Sequence, residues 1–171
     1  MMKSVFGCLA LLLALAVEGS AQLVAGSPED SLFQRIRAAG TPAEKIALAT
    51  EFEQEYTGAP APVLVSIFSI LMTQYEQQND HRQAVAYGEK IIQKDPGNVT
   101  AYMSLCRVLS VNLREDLGKA VEYGERAVSL AQELKAREAP PNYTTEQWET
   151  YTNQTETYAR SILSYARTVR P

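Results

Sequence analysis

Ala84-Val85-Ala86-Tyr87-Gly88-Glu89-Lys90-Ile91 and Ala120-Val121-Glu122-Tyr123-Gly124-Glu125-Arg126-Ala127 are nearly the same eight residues, written twice and thirty-six positions apart. One helical hairpin cannot cover its own apolar face. Hairpins that recur every 30 to 50 residues or so bury that face by stacking on the next copy. The repetition therefore predicts stacked helix hairpins. Each copy also holds a glycine in mid-helix, which costs roughly 1 kcal/mol relative to alanine. The same cost accepted at the same place predicts that a neighbouring helix comes close at Gly88 and at Gly124.

Helix punctuation surrounds both copies. Ser27-Pro28-Glu29-Asp30 supplies a cap, a first-turn proline and first-turn acids, and the helix that follows stops at Gly40. Thr41-Pro42-Ala43-Glu44 reads as a capping box, with Glu44 reaching back to the N–H of Thr41. Ile46, Ala49, Phe52 and Tyr56 follow at helical spacing as far as Gly58. Pro60 and Pro62 open a third helix with the apolar stripe Ile67, Phe68, Ile70, Leu71 and Tyr75, and Asn79 ends it in the left-handed region. Asp80 caps a fourth helix, and Asp95-Pro96-Gly97-Asn98 breaks the chain. A fifth helix carries Tyr102, Leu105, Val108 and Leu109. A sixth, expected from Glu115 to Glu138, holds the second copy. After Pro140-Pro141-Asn142, Thr144 caps a seventh helix. No segment alternates as a strand does. The expected fold is all-α: a helix-hairpin solenoid of seven helices after a signal peptide.

The residues from Val65 to about Leu130 resemble the tetratricopeptide repeat family. In a first unit Phe68, Leu71, Tyr75, Ala84, Ile91 and Pro96 fall where that 34-residue repeat carries a large residue, leucine, an aromatic, alanine, alanine and proline. In a second, Tyr102, Leu105, Cys106, Leu109, Ala120 and Ala127 take the matching places, after a two-residue insertion around Leu113 to Glu115. Met72 departs from the small residue expected, and Tyr87 and Tyr123 carry the ring one place earlier than usual. The second unit lacks the closing proline. Glu44 to Tyr56 resembles half of a degenerate repeat, and Tyr158 to Val169 the first helix of a further one. The implied division is a signal peptide over 1–21, N-terminal helices over 22–64, repeats over 65–98 and 99–138, and a capping helix over 139–171.

The resemblance also implies a face for a protein or peptide partner, lined by first helices. Its candidate residues are Ser69, Thr73, Glu76, Gln77, Met103, Arg107 and Ser110. Members that grip a C-terminal carboxylate carry Lys and Asn in several of these places, and this chain carries neither there. On the seventh helix, Tyr158, Ile162 and Tyr165 form an apolar stripe and a candidate interface, for a partner or for a homodimer.

Met1 to Ala21 has the layout of a secretory signal peptide: one lysine, an apolar run from Val5 to Val17, then small residues. The run is shorter than the roughly 20 residues that span a bilayer, and the segment is either cleaved after Ala21 or retained as an anchor. Cys8 lies inside the run, not after it, which argues against lipidation. Beyond Ala21 the only cysteine is Cys106, so no internal disulfide is available. A net charge of −4 without a long basic run argues against nucleic acid. His81 is the only histidine, which leaves no metal-ligand cluster and no partner for a nucleophile. Cys106 reads as a small core residue, and Glu51/Glu55 and Glu122/Glu125 as solvated pairs. Asn98-Val99-Thr100, Asn142-Tyr143-Thr144 and Asn153-Gln154-Thr155 match the N-glycosylation pattern, the first two in turns. The expected function is that of a non-catalytic interaction scaffold without cofactor or metal, exported to the periplasm or secreted. The competing expectations are an accessory of bacterial envelope assembly or cell-wall machinery and a helical enzyme.

Overall fold

The computed structural model describes residues 23–169; the expected signal peptide lies outside them. Among the described residues the chain forms seven α-helices and no strand: α1 Pro28–Ala38, α2 Pro42–Glu55, α3 Ala61–Gln77, α4 His81–Lys94, α5 Val99–Arg107, α6 Leu117–Lys135 and α7 Thr145–Val169. None of them is long and apolar enough to cross a membrane.

The helix starts follow from the caps. The Ser27, Thr41, Asp80 and Asn98 side chains each accept a first-turn N–H. Thr144 and Gln147 form a reciprocal box: the Thr144 hydroxyl accepts from Gln147 N at 3.2 Å and Gln147 Oε1 from Thr144 N at 2.9 Å. Glu44 reaches back one residue further than expected, accepting from Gly40 N at 3.2 Å. Asn79 takes the left-handed conformation at φ 60°, as its place at a helix end predicts.

The second unit differs from expectation at both ends of α6, which spans 117–135 rather than 115–138. α5 does not stop at its C-terminus either. It runs on as a π-helical segment, Val108–Leu113, which takes up extra chain by widening the turn. Arg114 at φ 54° and Asp116 at φ 49° then reverse the chain in left-handed conformations that cost non-glycine residues stability. The two-residue insertion thus becomes a wide turn followed by a strained corner.

Each helix packs on the next in the chain, and α5 also packs on α7. One core cluster, with Ile36, Phe52, Ile67, Leu71 and Ile91, belongs mainly to α1–α4. A second, with Cys106, Leu109, Ala120, Ala127, Leu130 and Leu163, belongs to the segments from α5 onward. They meet where α4 packs on α5. A Cβ on Gly88 would lie 2.7 Å from Leu105 Cδ2 and 3.2 Å from Met72 Cε; one on Gly124 would lie 3.0 Å from both Cys106 Sγ and Leu163 Cδ1. Each glycine therefore faces the helix before it and a leucine of the helix after it, and the close approach predicted for both is present.

The same register extends to α7. Ile67, Ala101 and Ala159 are buried at matching places in α3, α5 and α7, as are Leu71, Leu105 and Leu163, and Gln74, Val108 at the start of the π-helical segment, and Ala166. Phe68, Met72 and Tyr75 of α3 stand where Tyr102 and Cys106 of α5 and Leu109 of the π-helical segment stand. In α7 those places hold Arg160, Ser164 and Arg167, all exposed. The last helix thus turns a polar side toward solvent where its predecessors turn apolar side chains toward a following helix.

Candidate functional site

The candidate face begins on α3. Ser69 is half-buried, and Thr73 and Gln77 are exposed. The Ser69 and Thr73 hydroxyls donate to the carbonyls of Val65 and Ser69 at 2.7 and 2.8 Å. Their oxygens keep lone pairs to offer a ligand while the helix satisfies their protons. Glu76 and Arg107 form an ion pair that ties α3 to α5, and both are only partly exposed. These five residues lie on one strip across two helices.

Met103 and Ser110 do not belong to it. Met103 is 7 % exposed, in the cluster that holds Ile162 and Leu163, because α7 packs on α5. Ser110 is fully buried, its hydroxyl donating to Cys106 O at 2.7 Å. It lies in the π-helical segment, where the wider turn rotates side chains away from their α-helical directions. The candidate interface on α7 divides in the same way. Ile162 is 8 % exposed inside the second cluster, Tyr158 is half-buried, and Tyr165 is exposed. Ile162 is covered by its own chain, so it is not the sticky residue expected.

One polar arrangement was not anticipated. Glu53 of α2 accepts from the Tyr87 hydroxyl at 2.9 Å and the Lys90 ammonium at 2.5 Å; Glu89 of α4 accepts from Tyr123 at 3.1 Å and Lys119 at 2.5 Å. Glu125 of α6 meets Arg167 of α7 at 2.9 Å. Glu53, Glu89 and Glu125 stand at thirty-six-residue intervals, so extending the repeated octapeptide back into α2 would have revealed the first of them. Burial, reinforced by the bond to Glu53, pushes the Tyr87 phenol far above its usual range. Burial and then Glu89 raise Tyr123, and the bond to Glu89 raises Lys119. These groups join successive even-numbered helices and hold their protons firmly, which suits structure rather than proton transfer.

Cys106 is fully buried, and burial pushes its thiol up to about 11. A thiol that stays neutral near pH 7 is a poor nucleophile. Among the described residues no group of three or more His, Cys, Asp or Glu side chains is placed to hold a metal ion. The Asn98 amide caps α5 and donates to Asp95 at 3.0 Å, while Asn142 and Asn153 are exposed. No protein-family model, no curated protein and no solved structure matches the chain.

Proposed function

We propose that the protein is a non-catalytic scaffold, a helix-hairpin solenoid of the tetratricopeptide type, which is exported and binds a protein or peptide on the strip formed by α3 and α5. The observation that carries this reading is the repeated close approach: Gly88 between Met72 and Leu105, Gly124 between Cys106 and Leu163. A chain that repeats its inter-helix contacts aligns its odd-numbered helices side by side and so presents a broad face. On that face Ser69, Thr73, Gln77 and the Glu76–Arg107 pair supply hydrogen-bonding groups without a closed cavity, which suits an extended peptide more than a small molecule. The signal-peptide pattern of Met1 to Ala21 supports export.

Photo-crosslinking groups placed at Thr73 and Gln77 should trap one partner in cells that produce the protein. The same group at Gln93, an exposed position on α4, should not. Equal trapping from all three sites, or none from any, sinks the face. The N-terminus of the protein recovered from those cells should be Gln22, and retention of Met1 in a cytoplasmic pool would sink export.

A further inference from the structure

Three faces run along α7. One, centred on Thr155, Ala159, Ile162 and Ala166, is buried. A second carries Glu149, Glu156, Arg160 and Arg167. The third repeats every seven residues: Tyr151, Tyr158 and Tyr165 alternate with Gln154, Ser161 and Thr168, flanked by Thr150, Thr157 and Ser164. From Thr150 to Thr168 it carries no charged side chain, in a chain where 21% of residues are charged; Glu146 borders its N-terminal end. A seven-residue period on one helix face is the spacing that a second helix follows when two helices supercoil. Two shallow hollows lie along this strip and share Gln154, one beside Tyr151 with Glu146 at its outer edge and one beside Tyr158 and Ser161. Such hollows are the holes that knobs of a facing helix fill.

We infer that this strip binds the same strip of a second copy, antiparallel, to form a homodimer. Charge selects that occupant. Two copies of a chain with net charge −4 repel each other, and the charge-free strip lets them approach without burying an unpaired charge. Self-complementarity selects it too. A two-fold axis between Ala159 and Arg160 sets Tyr151 against Thr168, Gln154 against Tyr165, and Tyr158 against Ser161. Every ring then meets a smaller polar side chain, the alternation that lets layers interdigitate. The Ser161 and Thr168 hydroxyls donate to their own helix at 2.9 and 2.7 Å. Their oxygens are left to accept from the phenols of the second copy. One helix face is smaller than the roughly 800 Å² per side of a standard interface, so the dimer is a weak, micromolar one. It uses none of the residues of the α3–α5 strip, so either proposal can fail without the other.

Sedimentation equilibrium of the purified protein over roughly 1 to 300 µM, the range that a small interface sets, should show monomer giving way to dimer. Gln154→Glu with Tyr165→Glu sets like charges across one layer and should weaken association roughly tenfold or more. Gln154→Lys with Tyr165→Glu sets opposite charges across the same layer and should restore it, which a misfolded variant could not do. In a Cys8→Ser background, Ser161→Cys, beside the axis, should give a disulfide-linked dimer, and Gln147→Cys, at the far end, should not. A monomer throughout the range overturns the inference, as does a dimer indifferent to both charge variants or one cross-linked through position 147 instead of 161.

Discussion

Gly88 and Gly124 occupy the same place in two copies of one octapeptide, yet their surroundings differ in how far they can yield. Against Gly88 stands Leu105, completely buried at the joint between the two core clusters. Against Gly124 stand Cys106 and Leu163, and Leu163 belongs to a helix with solvent along its other side. Close-packed interiors transmit strain, whereas a helix with one exposed side can shift outward. The repeated sequence thus marks two close approaches, and position along the chain decides how stiff each one is. The same contrast governs the ion pairs: the Glu53 side chain is 22% exposed and that of Glu89 is 31% exposed.

The largest effect is expected from Leu105→Ala. It opens a cavity at the joint and should cost roughly 2–5 kcal/mol in denaturant unfolding, with Leu163→Ala at the lower end of that range. A cost below about 1 kcal/mol for Leu105→Ala would mean that the joint is not a packed core. Next comes Gly88→Ala. Overpacking of roughly 1–3 kcal/mol opposes a helix-propensity gain of about 1, leaving a net loss. Gly124→Ala should fall within about 1 kcal/mol of neutral. In a Leu105→Ala background the penalty of Gly88→Ala should vanish, and a double-mutant cycle without coupling would refute the contact.

Glu53→Gln should cost about 1 kcal/mol, and Glu89→Gln less, because the second carboxylate is the more solvated. The reverse order would show that depth does not separate the two pairs. The smallest effect is a titration. The folded pKa of Tyr87 lies above its ordinary 10.0, so its contribution to stability is complete below pH 10.0 and is lost as pH rises beyond it. Tyrosinate absorbance should show this phenol ionising well above 10.0. Glu53→Gln should bring it only part of the way back, because burial remains. Ionisation of all tyrosines together near 10.0 in the folded protein would contradict that environment.

Most of the helix boundaries were legible because they are set locally. A Ser, Thr, Asp or Asn side chain satisfies the first free N–H groups wherever it precedes an apolar period, and the breaker Asp95-Pro96-Gly97-Asn98 acts within a few residues. The exposure of Thr73 and Gln77 on α3 was legible for the same reason, since helical period alone decides which way they point. Met103 and Ser110 were misread because that period does not foresee α7 packing over α5, or a π-helical turn taking up an insertion.

The sequence by itself determined that the chain is helical, where most of the helices start and stop, and that Gly88 and Gly124 must each face a close neighbour. These follow from caps, periodicity and the missing Cβ, which act over a turn or two. Only the tertiary structure decided which neighbour that is, which of the tyrosines on α7 stay exposed, that Ile162 lies inside, and that Glu53 and Glu89 tie successive even-numbered helices together. Those outcomes depend on groups from sixteen to thirty-nine residues apart meeting in one register. Side-chain packing selects that register, and no local rule of period or cap contains it.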